Sequence, residues 1–478
     1  MSASIGSRIA RNTLVQFVGK AVTTVTGAIL LAILTRKLGV ASYGNYVTIL
    51  AFSQFFAIFA DFGVNVYALK RLSTPRDDEH IMASEALALR VVTVTATLTI
   101  GGIVALFFPY TTLIKEGIAI GLVSMWAQTI NSYYVTILQA RLEMKYASFS
   151  EVFGRIVTLA LSIGLLIISR NVILVVLAQA VGSLANMVAT YFYARRFVKV
   201  GFKWNPTEWI VILKEAIPIS VSSVLGYLYF TIDTVMLSVM HLSGGRVNAV
   251  EVGIYGSAYK VLNILLLIPA IFLGTVFPVM SNFLATKDPR VNKLLAASLE
   301  VMGMFSFPVT VVLVFAAPQV ITFVAGKSFI AAAVPLRILS LAVLSNYFSS
   351  VFNYTALTLN KQVALIKIYT VALIFNVAAN AILIPRYSYV AASWTTFATE
   401  IIVLILPFIV CQRALHFKID FGRLSRAAAA GAVLAILLWF VRHDPLWIIL
   451  PLSAVVYPTM LILFRGFNRE DFLLLQKA

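Results

Sequence analysis

The sequence predicts an all-α polytopic membrane protein with about fourteen transmembrane helices. Of its 478 residues, 60% are hydrophobic and 12% are charged, and the mean hydropathy is +0.94. A soluble domain of average composition is about half apolar and about a quarter charged. Apolar runs of about twenty residues, the length that crosses a bilayer core of about 30 Å, recur along the whole chain. Composition and run length together indicate that the solvent of this chain is lipid.

The apolar runs follow one another through short polar connections, and each run is long enough for one membrane-spanning helix. The first run continues into Arg36 and Lys37 without a cleavage site, which indicates a retained helix and not a signal peptide. The fourteen predicted spans are 13–34, 43–67, 84–108, 117–138, 150–169, 172–193, 214–240, 253–280, 296–316, 330–359, 363–384, 388–410, 426–441 and 447–465.

Basic residues are distributed unevenly between the two sides of the membrane. About 24 of the 37 Lys and Arg residues fall in segments on the side of the termini and about nine on the opposite side, and basic residues mark cytoplasmic loops. We therefore expect a multi-pass protein of the cell inner membrane with both termini in the cytoplasm. The same rule explains the net charge of +18 without a nucleic-acid partner.

The order of the spans predicts three parts. Residues 1–200 form an N-lobe with spans 1–6, residues 201–412 form a C-lobe with spans 7–12, and residues 413–478 carry spans 13 and 14 and a cytoplasmic tail. The run Tyr43–Tyr46 opens the second span, and the similar run Tyr255–Tyr259 opens the eighth. This weak repeat predicts two six-helix lobes of the same orientation plus two C-terminal helices, a design that suits alternating access.

Several classes of function are excluded by what the chain contains. Cys411 is the single cysteine and the four histidines are scattered, so the sequence predicts no disulfide, no metal site and no cofactor. No connection is long enough for a nucleotide-binding domain. The run Gly326-Lys327-Ser328 resembles the end of a phosphate-binding loop, but Ile321 stands where its first glycine is required. Transport must then run on an ion gradient, on the membrane potential or downhill.

Ionisable side chains inside the spans are candidates for a functional site, because an unpartnered charge in lipid is costly. Three cations fall in the cytoplasmic half of the N-lobe, and one further cation falls in the C-lobe. Lys and Arg bind phosphate through charge-assisted hydrogen bonds. We expect these residues to form a cationic site for a phosphate-bearing lipid headgroup: Lys20, Arg90, Arg155 and Lys260.

Three carboxylates inside spans are candidates for ion coupling or for helix pairing. Asp61 lies at a depth similar to that of Lys20, and Asp233 lies at a depth similar to that of Lys260, so adjacent helices are placed to pair both sets. Asp233 and Glu400 are also candidates for proton coupling, because a partly buried carboxylate titrates near neutral pH. Glu151 precedes Arg155 by one helical turn and is placed to neutralise it in part.

Uncharged amides form polar stripes on three spans. Residues spaced by seven, four or three positions lie on nearly the same helical face. Such amides suit sugar hydroxyls, and they equally suit hydrogen bonds between helices. The predicted glycan-facing residues are Gln128, Asn131, Asn346, Asn353, Asn360, Asn376 and Asn380.

Three groups of segments carry a family resemblance. They are Leu34–Gly39, Tyr43–Tyr46 and Asp61–Gly63; Phe323–Phe329 and Leu336–Leu339; and Asn376–Asn380, Ile382–Tyr387 and Ala391–Ala392. Their order and spacing resemble the polysaccharide transporter family, the Wzx-type flippases of the multidrug/oligosaccharidyl-lipid/polysaccharide exporter superfamily. The similarity covers most of residues 30–400, with departures at Val40, Ser388 and Val390, which leave the subfamily and cargo open.

The resemblance implies a V-shaped pair of lobes that alternate access. It also implies a cargo, a polyprenyl-pyrophosphate-linked oligosaccharide that is flipped to the outer leaflet for O-antigen or exopolysaccharide assembly. A polysaccharide polymerase and chain-length machinery are then expected partners. Two alternatives within the superfamily are a cation-coupled multidrug exporter and a peptidoglycan-precursor flippase. A more distant alternative, a membrane-embedded enzyme of glycan assembly, is disfavoured by the short loops and the lack of a converging catalytic set.

Overall fold

The fold is all-α. A computed structural model describes residues 5–60, 62–73, 78–245, 247–417 and 421–466, and no β-strand occurs among them. A short 3₁₀ segment, Lys327–Ala332, precedes α11. The helices are α1 (Ile5–Phe59), α2 (Val64–Leu72), α3 (Glu79–Phe107), α4 (Thr112–Ala140), α5 (Met144–Ile168), α6 (Val172–Ala194), α7 (Pro206–Val239), α8 (Asn248–Leu265), α9 (Leu267–Ala285), α10 (Arg290–Ala325), α11 (Ala333–Thr358), α12 (Gln362–Leu415), α13 (Phe421–Phe440) and α14 (Leu446–Leu463).

The predicted polytopic membrane fold is confirmed. Within the described residues, eleven helical stretches are long and apolar enough to cross a membrane. Two of them, Val18–Phe59 and Gln362–Leu415, have 42 and 54 residues, about twice the length of one crossing. Each contains one non-helical residue, Gly39 (φ 74°) in α1 and Ser388 (φ 52°) in α12. Spans 1 and 2 thus share α1, and spans 11 and 12 share α12, each divided into two arms.

The helices form two compact units. The first unit contains α1 to α7 and the first residues of α8, up to Gly253, and the second runs from Ile254 through α14. The loop after α7, from Met240, also belongs to the second unit. The expected lobe boundary at residue 200 stays a prediction, as does the separate C-terminal part from residue 413.

Within the second unit, α13 and α14 pack on α10 through a continuous apolar cluster. Leu434 and Leu438 of α13 and Ile449 of α14 are fully buried in it beside Ala316 of α10. An ion pair also joins α13 to α10, in which Nη1 of Arg423 donates to Oε2 of Glu300 at 3.2 Å. The last two helices are therefore an integral part of the second unit.

The seven-residue stripe predicted on span ten ends earlier than expected. Helix α11 stops at Thr358, and Asn360 lies beyond it with φ 55°. The backbone N–H of Lys361 donates to the carbonyl oxygen of Ala356 at 2.9 Å. The backbone N–H of Asn360 donates to the carbonyl oxygen of Leu357 at 3.1 Å. These two bonds form a Schellman motif, in which asparagine tolerates the left-handed conformation. The placement of Asn360 on the face of Asn346 and Asn353 was therefore wrong.

Close packing of α5 against α6 depends on two glycines. A Cβ added to Gly154 would stand 2.6 Å from the Cβ of Asn186 and 2.8 Å from the carbonyl oxygen of Gly182. A Cβ added to Gly182 would stand 2.7 Å from the carbonyl oxygen of Gly154. The two backbones approach so closely because neither residue has a side chain, which is the usual way for helices to associate in lipid.

We expect Gly154→Val to lower the free energy of unfolding by about 2 kcal/mol, because the added carbons meet backbone atoms of α6 that have no room to move. The matched control is Gly164→Val in the same helix, where an added Cβ meets nothing within 4 Å. Thermal unfolding of both variants in detergent tests the difference. Equal melting temperatures for the two would show that the α5–α6 contact does not limit stability.

Candidate functional site

The first unit brings a lysine of α1 beside two charged residues of α5. Lys20 is half exposed, and its Nζ lies 3.7 Å from Oε1 of Glu151. Arg155 follows Glu151 by one helical turn, so both lie on the same face of α5. We call Lys20, Glu151 and Arg155 the α1–α5 charge cluster. It has a net charge of +1, and its arginine has no described carboxylate within 4.0 Å.

One expected ion-pair partner differs from this arrangement, and the other cannot be compared with it. Asp61, the partner predicted for Lys20, lies outside the described residues. Glu151, expected to neutralise Arg155, has its carboxylate nearest to Lys20 instead. The reason is that an i, i+4 spacing allows a contact along one helix but does not prevent a side chain on a neighbouring helix from competing for it.

Arg155 also faces the second arm of α1. Its charge acts on the phenol of Tyr46, which is buried. The Tyr46 hydroxyl donates to Oε1 of Gln179 on α6 at 2.5 Å. Gln179 was missed at the sequence level, although it is an amide within an otherwise apolar run. This hydrogen bond connects the second arm of α1 to α6, and the Lys20–Glu151 pair connects the first arm to α5.

Arg90 has a different environment from Lys20 and Arg155. Its side chain on α3 is 2% exposed, and Nη1 donates to the carbonyl of Ala60, just beyond the end of α1, at 3.0 Å. Nη2 lies 3.4 Å from Oγ of Ser132 on α4, and that hydroxyl also accepts from Nδ2 of Asn65 on α2. Arg90 therefore completes the hydrogen bonds of a helix end. Its side chain is enclosed by the protein and does not extend towards a membrane interface.

The polar residues predicted on α4 make different contacts from one another. Gln128 donates to Oγ of Ser124 in its own helix and to Oγ of Ser183 on α6, at 3.1 and 3.3 Å. Asn131 is half-buried, and its Oδ1 has no hydrogen-bond partner among the described residues. Gln128 thus holds two helices together, whereas Asn131 retains an acceptor for other partners.

In the second unit, a buried carboxylate lies within a polar network. Glu400 on α12 is 1% exposed, and Oε2 accepts from Nδ2 of Asn346 on α11 at 3.2 Å. The Oδ1 of Asn346 accepts in turn from the Ser350 hydroxyl at 3.2 Å. Glu400 is thus a buried carboxyl group that is hydrogen-bonded between α11 and α12.

The two arms of α12 are joined through Asn376, to which Asn380 of the same arm is hydrogen-bonded. Asn376 donates to the Thr399 hydroxyl at 3.3 Å, and Asn380 donates to Oδ1 of Asn376 at 3.0 Å. Both side chains are fully buried, which fits hydrogen bonding between helices, one of the two roles considered. Asn353 is half-buried, and its Oδ1 has no partner among the described residues.

Two predicted charges remain. Asp233 is fully buried on α7 of the first unit, and Lys260 is exposed on α8 of the second. Across the part of the chain that the structure describes, no three His, Cys, Asp or Glu side chains converge as metal ligands would. We therefore take the α1–α5 charge cluster in the first unit and the Glu400 network in the second as the two candidate sites that contain ionisable side chains.

Comparison with known proteins gives a consistent family and fold. Residues 9–284 match the family described as polysaccharide biosynthesis protein. Among solved structures, the lipid II flippase MurJ in an inward closed conformation has a TM-score of 0.78 at 13% identity, over 95% of this chain and 99% of that one. A mutant of the Vibrio cholerae MATE transporter VcmN has a TM-score of 0.60 at 13% identity, over 86% and 97%.

A third similar structure is a MOP superfamily transporter from Pyrococcus furiosus, with a TM-score of 0.59 at 16% identity, over 86% of this chain and 95% of that one. No curated protein matches the sequence. These likenesses show that the fold is that of the MOP-superfamily transporters.

Because Arg90 is buried and Lys20 is half exposed, substitutions at the two positions should change the free energy of unfolding by different amounts. Arg90→Ala leaves the Ala60 carbonyl without this donor, and an orphaned buried polar group costs about 1–3 kcal/mol. Lys20→Gln removes a half-exposed ion pair, which changes stability by about 0–1 kcal/mol. Thermal unfolding should therefore show a clear loss for Arg90→Ala and almost none for Lys20→Gln. The reverse order would contradict these assignments.

Proposed function

Because the chain belongs to the polysaccharide biosynthesis protein family, we propose that it is a flippase for a polyprenyl-pyrophosphate-linked oligosaccharide. The cargo is the repeat unit of O-antigen or exopolysaccharide. It moves from the cytoplasmic to the outer leaflet of the cell inner membrane by alternating access, and both termini of the protein lie in the cytoplasm. The observation that carries the proposal is the α1–α5 charge cluster.

The two cations of the cluster fit a pyrophosphate diester, which carries two negative charges. Lys20 and Arg155 supply two positive charges on adjacent helices. Guanidinium and ammonium groups bind phosphate oxygens through short charge-assisted hydrogen bonds. Arg155 is also close enough to Tyr46 for its charge to act on that phenol. The headgroup is thus the part of the cargo that the cluster recognises.

The strength of the Lys20–Glu151 contact decides whether Lys20 is available to cargo. At 3.7 Å and with both side chains more than a third exposed, the pair contributes about 0–1 kcal/mol. A hydrogen bond to a charged phosphate contributes about 1.5–3 kcal/mol. The pyrophosphate therefore displaces Glu151 from Lys20, and Glu151 holds the lysine in place when cargo is absent.

Different residues support the binding of the glycan and the coupling of transport to a proton gradient. Asn131 and Asn353 each have a buried amide oxygen without a described partner, and amide oxygens accept hydrogen bonds from sugar hydroxyls. Glu400, buried and hydrogen-bonded to the Asn346 amide, is the group that we assign to proton coupling. Three of the predicted residues hold helices or helix arms together, Asn380 donates to Asn376 within one arm of α12, and Asn360 lies beyond the end of α11. We therefore leave five residues out of the cargo site: Arg90, Gln128, Asn376, Asn380 and Asn360.

A peptidoglycan-precursor flippase is the alternative that one observation favours. The high TM-score to the lipid II flippase MurJ covers nearly the whole chain. Its cargo has a lipid anchor, so the cationic cluster would serve both proteins alike. The family match to polysaccharide biosynthesis decides for the first assignment. A multidrug exporter would leave the cluster without a role.

Deleting the gene should cause accumulation of lipid-linked glycan and loss of surface polysaccharide, and wild-type protein should restore both. We expect Lys20→Gln and Arg155→Gln each to reduce restoration at least about tenfold at unchanged protein level, because each removes a charged hydrogen bond to pyrophosphate. Glu151→Gln keeps both cations and should remain active. Arg170→Gln, an exposed arginine just beyond α5, is the matched control. Full activity of both cation variants, or unchanged surface polysaccharide after deletion, would overturn the proposal.

For Glu400, we expect Glu400→Gln to remove the response of flipping to an imposed proton gradient while the protein stays folded. The glutamine retains the size of the side chain and an oxygen that accepts from Asn346, but it cannot bind a proton. Glu116→Gln, an exposed carboxylate on α4, serves as the control. Flipping in proteoliposomes with and without a pH difference measures the effect. A variant that still responds fully to the gradient would exclude Glu400 as the coupling group.

A further inference from the structure

The connector between α6 and α7 presents cations and aromatic rings on one exposed surface. We define the connector surface as Arg195, Arg196, Lys199, Phe202 and Trp204, and all five are exposed. Phe202 and Trp204 are 60% and 62% exposed, although they lie in a non-helical segment outside the membrane spans. Apolar exposure at that position is not explained by packing against acyl chains along a span. Trp and Phe beside basic residues are typical of the membrane–water interface.

The connector has a fixed conformation because α3 holds it. The amide of Gly201 donates to Oγ of Ser84 at 3.0 Å, and Nδ2 of Asn205 donates to Oε1 of Glu85 at 3.0 Å. The same carboxylate lies 3.4 Å from Nζ of Lys203, and Nε1 of Trp209 donates to the Glu85 carbonyl at 3.0 Å. Glu85 thereby neutralises Lys203 and leaves the other three cations of the connector to face outward.

Aromatic rings orient the two arginines. The guanidinium carbon of Arg195 lies 4.5 Å from the centroid of Phe192, and that of Arg196 lies 5.2 Å from the centroid of Tyr193. Tyr193 is itself stacked on Tyr146 of α5 at 4.6 Å. A stacked guanidinium keeps its N–H edge available for a planar or tetrahedral anion. No carboxylate among the described residues lies within 4.0 Å of either arginine or of Lys199.

We propose that the connector surface binds the phosphodiester headgroup of an anionic phospholipid in the leaflet around the ends of α6 and α7, the leaflet predicted to be cytoplasmic. The two arginines and Lys199 contact the phosphate, and Phe202 and Trp204 insert at the level of the glycerol backbone. Clusters of Lys and Arg beside a span attract anionic lipids in this way. The site serves lipid binding and does not depend on the proposed cargo.

A second basic connector shows that cations alone do not make such a surface. Lys287, Arg290 and Lys293, which follow the end of α9 and begin α10, are also three cations within seven positions. There, however, Arg290 is paired with Asp288, whose Oδ2 lies 2.6 Å from Nη2. None of the large hydrophobic side chains described between residues 272 and 304 is exposed. This connector therefore provides a control with the same number of charges.

The test measures binding of phosphatidylglycerol and phosphatidylcholine to purified full-length protein by native mass spectrometry. Wild type should prefer phosphatidylglycerol by roughly tenfold. The triple variant Arg195→Gln, Arg196→Gln, Lys199→Gln should lose that preference, and the control Lys287→Gln, Arg290→Gln, Lys293→Gln should retain it. Phe202→Ser with Trp204→Ser keeps every charge, and hence the orientation signal, and should weaken phosphatidylglycerol binding several-fold.

Three results would overturn the proposal. One is an equal loss of preference in both triple variants, which would mean diffuse attraction by the whole basic side. Another is competition by inorganic phosphate at the same concentration as lipid, which would mean a site for a free anion. The third is an unchanged lipid preference in the connector variants. If those variants lost binding of an acidic protein while their lipid preference stayed unchanged, the surface would be a protein-binding site.

Discussion

The structure depends on one constraint, which is that lipid offers no hydrogen bonds, so every helix end or break within the membrane must be completed by the protein itself. Arg90 donates to the Ala60 carbonyl where the second arm of α1 ends. The Schellman bonds around Asn360 do the same at the end of α11. Asn376 and Thr399 join the two arms of α12 on either side of the break at Ser388. At these points, a polar side chain or a turn motif supplies the hydrogen bonds that lipid does not.

This constraint separates two kinds of charge inside the spans. Arg90 is part of the fold, because it is buried and a ligand would have to replace the bond that its Nη1 donates to the Ala60 carbonyl. A cation held only by a long and exposed ion pair, such as Lys20, loses little when an anion takes the place of its partner. Membrane depth alone does not distinguish the two, whereas burial and a hydrogen bond to a helix end do.

The sequence predicts the spans well because the length of an apolar run follows directly from bilayer thickness. It does not predict that spans 1 and 2 share one helix broken at Gly39, since this depends on a single backbone angle. The stripe on span ten failed at Asn360 because a spacing of seven defines a face only as far as the helix continues. The pairing of Glu151 with Lys20 was missed because it joins residues 131 positions apart. Periodicity describes one helix, and the site is made between helices.

The fold is shared with structures that are only 13% and 16% identical in sequence, so few of the residues in this chain are required to specify it. The glycines that let α5 approach α6 and the apolar cluster around α10 specify packing, and many sequences satisfy them. A shared fold therefore does not specify a cargo. Cargoes are distinguished by the few side chains whose charge or hydrogen-bonding capacity the fold does not use. On the proposed function, the α1–α5 charge cluster has this role, because its two cations have one described carboxylate between them. Two such cations suit an anionic headgroup, whereas they would repel a cationic cargo.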